Sequence, residues 1–197
     1  SFFIQLHCTK VAFQKRIFEE NSIDISKFSP EEIKSLAVLL LGHIPTGTGL
    51  GRELFNAIAR LTVVLTPEAA CLRSDAKTGT VQIYLTQRAA DDSAYPGQWH
   101  IPGSAMRSGE EIDDVFTRLS QSEIGLAITS KKFAFHFNNP KEARGHFFSL
   151  IYLCELTDGE ARGQWFDVQK LPENIVKHHQ ETVIPKALEV FLNNSKI

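Results

Sequence analysis

The sequence predicts an α/β (α+β) fold, with an N-terminal helical extension ahead of a strand-rich domain. Residues 1–60 carry apolar side chains at helical spacing. From Leu61 onward the texture turns to runs of β-branched and aromatic residues, and two helical windows interrupt those runs. The expected division is 1–60 for the extension and 61–197 for the strand-rich domain.

The extension opens with VAFQKRIFEE (11–20), whose apolar spacing predicts a helix. SPEEIKSLAVLLLG (29–42) is a second. Ser29 is a natural N-cap, Pro30 suits the first turn, Glu31 and Glu32 complement the helix dipole, and Gly42 is placed to end it. RELFNAIARL (52–61) predicts a third helix after the link PTGTGLG (45–51). That link lacks the GKS or GKT ending of a phosphate loop and no strand feeds into it, so it reads as a turn.

Strands are expected in LTVVLTPEAACLR (61–73), VQIYLTQR (81–88), KKFAFHFNN (131–139) and HFFSLIYLCEL (146–156), with a short one at GQWFDV (163–168). GEEIDDVFTRLSQSEIG (109–125) supplies a helix between the second and third. PENIVKHHQETVIPKALEVFL (172–192) closes the chain as a helix that Pro185 should kink or divide. The aromatic residues Phe133, Phe135, Phe147, Phe148 and Tyr152 are expected to build the sheet and its packing layers.

Composition narrows the function classes. Hydrophobic content of 43% and charged content of 22% indicate an ordinary folded chain, and the formal charge of −2 offers no basic field for nucleic acid. Cys8, Cys71 and Cys154 are scattered and show no CxxC spacing, so neither a disulfide framework nor a zinc site is indicated. The run LAVLLL (36–41) is far shorter than the roughly 18–20 residues that cross a bilayer, and a cytoplasmic, reducing location is expected. Met106 is the only methionine, so Ser1 is not the translational start.

The stretch that carries chemistry is VQIYLTQRAADDSAYPGQWHIPGSAMRSGEEIDDVFTRLSQSEIGL (81–126). It resembles the Nudix family, whose box runs GxxxxxE, seven residues, then REUxEExGU, where U is a bulky aliphatic residue. Ser104 takes the leading glycine, Glu110 the first glutamate and Arg118 the arginine. Leu119 and Ser122 replace two later glutamates, whereas Glu123, Gly125 and Leu126 fit. GQWHIPG (97–103) matches the family's GxWxxPGG segment, and QWF (164–166) resembles the aromatic strand start that follows in the family. The resemblance covers residues 61–195 and implies an α/β/α sandwich around a mixed sheet.

It also implies chemistry. A hard divalent cation, held by oxygen ligands and by the substrate's own phosphates, offsets the charge of a diphosphate. Positions 119, 122 and 123 would share one face of a regular helix, and only Glu123 keeps an acid there; Asp113 and Asp114 do not stand in. RLSQSEIGL is similar to the same segment of the GDP-mannose mannosyl hydrolases, which keep one magnesium. That likeness implies Mg2+, with Mn2+ as the alternative, on Glu123 and the Gly103 carbonyl, and Arg88 as a phosphate contact.

Two positions depart from that subfamily. Ala105 stands where it has an arginine, and the loop TDGEARGQW (157–165) lacks its histidine base, which leaves Glu160 as the expected general base. Glu110 is expected to brace the loop through Arg118. His100 reads as a partly buried histidine beside a base or sugar pocket, and the adjacent His178 and His179 as surface or packing residues. The expected function is hydrolysis of a nucleoside diphosphate linked to a sugar or similar group. The alternative is a catalytically inactive Nudix domain that binds a nucleotide or another protein, with the N-terminal helices as a homodimer or partner surface.

Overall fold

The computed structural model describes residues 24–45, 47, 49–75 and 79–194, and the helix expected over 11–20 lies outside them. The chain separates into two units, one ending at Thr46 and one beginning at Gly47.

In the first unit a 3-10 turn, Ile25–Lys27, precedes helix α1, Pro30–Leu41. Its start follows from the sequence. Ser29 Oγ accepts from the Glu32 amide at 3.3 Å while the Ser29 amide donates to Glu32 Oε2 at 2.8 Å, a reciprocal capping box with proline in the first turn. Gly42 caps the other end in right-handed conformation, its amide reaching Val38 O. Among the described residues, no helix is long and apolar enough to cross a membrane.

The second unit begins with α2, Arg52–Ala59, followed by β1 (Val63–Ser74), β2 (Val81–Gln87) and the short β3 (Trp99–His100). Helix α3, Ile112–Leu119, runs on into a wide turn at Ser120–Ile124. Then come β4 (Ile128–Glu142), β5 (Gly145–Leu156) and β6 (Gln164–Asp167), and a second wide turn, His179–Val183, leads into α4, Ile184–Asn194. The six strands form one sheet in the order β3-β2-β1-β5-β4, with β6 added to β2. The pairing of β1 with β5 is parallel and the others are antiparallel, so the sheet is mixed, as expected.

Alternation along the strands divides the core into two layers. Ala70, Leu72, Ile83, Leu85 and Ile151 pack with Val183, Ile184 and Ala187 of the C-terminal segment. Ala69, Cys71, Tyr84 and Cys154 pack against Val115, Phe116, Leu119 and Ile124 of the α3 segment. Each of the leucine, isoleucine and valine side chains among them contributes about 1.5–3 kcal/mol on full burial. Pro185 does divide the final helical segment. The Ile184 amide bonds to His179 O, a wide turn that precedes the proline, and Pro185 then sits in the first turn of α4, where its missing N–H is harmless.

The α3 segment departs from regular spacing. The Gly125 amide bonds to Ser120 O at 2.9 Å, five residues back, and Gly125 ends the segment at φ 83°, a left-handed conformation that favours glycine. The three positions meet different surroundings: Leu119 is buried, Ser122 exposed and Glu123 half-buried.

Candidate functional site

Strand β2 pairs with β1 only at Leu72–Ser74, which leaves the earlier edge of β1 open. The loop after β3 fills it. Ala69 N donates to Pro102 O at 2.8 Å, Ser104 N to Pro67 O at 3.3 Å and Met106 N to Leu65 O at 2.9 Å. Gly103 faces Glu68 across this contact, and a Cβ on Gly103 would lie 2.7 Å from Glu68 Cγ, so only glycine lets the loop approach.

Glu110 and Arg118 hold the rest of the loop, the bracing role the box pattern implies. Arg118 donates to both Glu110 oxygens at 2.8 and 2.7 Å, to the Ala105 carbonyl at 3.2 Å and to the Ser104 hydroxyl. Such a bidentate charged pair fixes orientation as well as adding energy.

Glu123 emerges from the wide turn towards β2 and β3. Its Oε1 accepts from Thr86 Oγ1 at 2.7 Å and lies 3.1 Å from His100 Nε2. His100 Nδ1 lies 3.4 Å from Arg88 Nη1, which assigns the imidazole proton to Nε2 and leaves Nδ1 as acceptor. Burial alone would raise the Glu123 carboxyl, but His100, Thr86 and Arg88 together hold it below the ordinary value, so it is ionised. Arg88, just past the end of β2, is itself positioned by Asp92, 3.0 Å from its Nε. Asp92 also accepts from the amides of Ala94 and Tyr95 at 3.0 and 2.9 Å.

The structure thus brings three of the residues expected from the sequence to one recess: Arg88, Gly103 and Glu123, with Gln87, Asp92 and His100. It does not bring Glu160 there. Glu160 is exposed and lines a different recess with Thr117, Gln121 and Arg162. Its loop is tied to the far end of the α3 segment, where Arg162 donates through its amide to Ile124 O and through its guanidinium to Ser122 O. Leu119 belongs to the core, and Ser122 turns its hydroxyl back to Arg118 O at 2.7 Å.

Two groups were missed in the sequence. Glu68 is buried in β1, and burial pushes its carboxyl up to about 7, with a Ser149 hydrogen bond opposing and the Glu123 charge adding to the rise. His179 is buried beside it, its Nε2 3.5 Å from Glu68 Oε2, beyond ordinary hydrogen-bond length. The His179 Nδ1 accepts from the Ile101 amide at 3.0 Å, and burial keeps the ring neutral. The one available signal was Glu68 itself, a lone acid inside the apolar strand LTPEAAC. His179 had none, because its partner lies far away in sequence.

A mixed sheet between two helical layers, with a glycine loop laid on β1 and an ionised glutamate beside it, defines an α/β/α domain with a polar recess at one sheet edge. The sequence profile of the NUDIX domain matches residues 64–186, and the chain belongs to that family. An ADP-ribose pyrophosphatase from Methanocaldococcus jannaschii is 23% identical over 97 residues, 45% of this chain. The match spans 57% of that relative's length. The fold is similar to a MutT/nudix family protein from Enterococcus faecalis, with TM-score 0.54 and 17% identity over 91% of this chain and 74% of that one. It is also similar to the NUDIX domain of Shewanella oneidensis NrtR complexed with ADP ribose, with TM-score 0.50 and 15% identity over 79% of this chain and 97% of that one.

Nudix hydrolases generally use a divalent metal. Among the described residues no three His, Cys, Asp or Glu groups are clustered to hold such an ion by themselves. The donor set fits a single hard cation whose shell the substrate's phosphates complete: one ionised carboxylate, Glu123, with only Oε1 engaged, beside the backbone of Gly103.

Proposed function

We propose that the chain hydrolyses a nucleoside diphosphate linked to a sugar or similar group, with one Mg2+ or Mn2+ ion on Glu123 and the Gly103 carbonyl. The observation that carries this reading is the convergence of Glu123, Gly103 and Arg88 on one recess. When bound, the cation would offset the charge of the diphosphate and of the departing group. Arg88 binds a phosphate oxygen through its guanidinium, and Asp92 keeps that guanidinium aimed. Thr86 and His100 fix the Glu123 carboxylate and keep it ionised. Glu160 serves as base only if its loop moves, because it lines a separate recess. The name of the Methanocaldococcus jannaschii relative and the ADP ribose complex of the Shewanella oneidensis domain support a substrate of this class.

The test is a hydrolysis panel of nucleotide sugars and dinucleotides with magnesium or manganese. Turnover of at least one member is expected, with a drop of about 100-fold or more in Glu123→Gln and full inhibition by chelator. An inert panel, or turnover indifferent to Glu123, overturns the assignment.

A second reading, nucleotide binding without turnover, is favoured by the absence of an acid at the buried Leu119 and the exposed Ser122. Tight nucleotide binding that withstands both chelator and Glu123→Gln would establish it instead.

A further inference from the structure

Beside the Glu123 recess lies a cavity that shares Arg88, His100 and Gly103 with it. Three of its lining residues carry a buried polar atom without a hydrogen-bond partner: Arg88 Nε, which has the Asp92 carboxylate 3.0 Å away, and Thr66 Oγ1 and Glu68 Oε2, whose residues are each only 7% exposed. A buried polar atom left unpaired costs about 1–3 kcal/mol, so the latter two, on one cavity wall, call for a physical reason. Thr66 and Glu68 are two apart on β1 and point to the same side of the sheet. They form a short polar strip that Ser149 of the adjacent β5 extends, since Ser149 is the register partner of Thr66.

The opposite character lines the rest of the cavity. Phe55, Tyr95, Phe137 and Phe147 contribute ring surface, and the Arg144 guanidinium lies 5.0 Å from the Phe147 ring and 5.9 Å from the Tyr95 ring. Glu142 holds that guanidinium in place through bonds of 3.1 and 3.0 Å. Aromatic walls with a few fixed polar groups are the pattern of a small-molecule site, in which the polar groups set orientation.

We propose that this cavity binds the sugar joined to the diphosphate, its hydroxyls donating to Glu68 and pairing with Thr66 while its C–H faces lie on the aromatic wall. This rests on the diphosphate reading of the Glu123 recess. The cavity adjoins that recess through three shared residues, so the group it receives is bonded directly to the diphosphate. The ribose of the nucleoside is bonded directly to the diphosphate as well, and comparing each sugar nucleotide with its parent diphosphate tells the two apart. A carboxylate acceptor beside a hydroxyl matches a polyol, and a site built to pair such hydroxyls rejects analogues that lack them.

Calorimetry on the full chain tests this, with calcium as the hard cation in place of the magnesium or manganese that turnover needs, using ADP-ribose against ADP and GDP-mannose against GDP. The wild-type chain is expected to bind at least one of the two sugar nucleotides about tenfold more tightly than its parent diphosphate. Thr66→Val, nearly isosteric, and Glu68→Leu should each remove most of that advantage and leave ADP and GDP binding within about twofold. Thermal unfolding of each variant confirms that it is folded, and Thr66→Val alone suffices if Glu68→Leu is not.

Equal weakening of sugar nucleotide and parent diphosphate overturns the proposal, because it assigns the cavity to the nucleoside. Retention of the full advantage in both variants overturns it as well. A wild-type chain that binds ADP and GDP but gains nothing from either sugar sinks this inference alone. One that binds none of the four ligands sinks the diphosphate reading too.

Discussion

The hydroxyl of Thr86 donates to the carboxylate of Glu123 over 2.7 Å, joining the middle of a sheet to the end of a helix 37 residues further along. Replacing this threonine with valine keeps the side-chain volume and removes the donor. We expect Thr86→Val to destabilise the fold by about 1–2 kcal/mol and to raise the Glu123 carboxyl towards its ordinary range. Urea unfolding and a pH titration of magnesium affinity read the two effects separately. Unchanged stability together with an unchanged profile would remove Thr86 from the site.

Asp92 provides a pH signature. Burial alone would raise its carboxyl, but the Tyr95 and Ala94 amides and the Arg88 guanidinium hold it at about 2, against 3.8 for a free aspartate. Its folded-state value is depressed, so the stability it adds is present above 3.8 and is lost as pH falls towards 2. Asp92→Asn should unfold at lower urea than wild type at pH 6, by about 1 kcal/mol. The gap should narrow as the pH is lowered through 4. A gap that stays constant with pH would mean that the Asp92 charge contributes nothing.

The missing acids of the box are not equivalent. Leu119 is 1% exposed within the apolar layer, and a carboxylate there has no partner. Leu119→Glu should lose about 3 kcal/mol or more. The Ser122 side chain is exposed and its hydroxyl bonds only to its own helix, while the bond from Arg162 goes to the backbone carbonyl and survives the substitution, so Ser122→Glu should shift stability by about 0.5 kcal/mol or less. Thermal denaturation of the two variants is the comparison, and equal tolerance would contradict the burial of Leu119.

Cys71 and Cys154 are register partners on β1 and β5, and both are buried. Interaction with Cys154 and burial push the Cys71 thiol well above its ordinary range, so it is not a nucleophile at neutral pH. Alkylation followed by peptide mapping should find both unmodified in the native chain and modified after denaturation. Rapid native labelling of either would show that this layer opens.

Much of the fold could be read from local pattern. Ser29 announced the N-cap of α1, and β-branched and aromatic runs marked the strands from Val63 to Asp167. The resemblance to the Nudix box implied the brace of Glu110 and Arg118 that fixes the loop. What could not be read depended on contacts between distant segments. The proton location on His179 follows from the Ile101 amide, and the burial of Glu68 follows from a loop laid across β1. The wide turn at Ser120–Ile124 was hidden for another reason: regular helical spacing was assumed through it, and one added residue per turn rotates everything that follows.

That wide turn also divides the surroundings of the motif. Leu119 precedes it and belongs to the apolar layer, whereas Ser122 and Glu123 both lie within it, one exposed and one bonded to β2 and β3. Three positions of one short motif thus answer to three different environments: volume at Leu119, solvent at Ser122 and charge at Glu123.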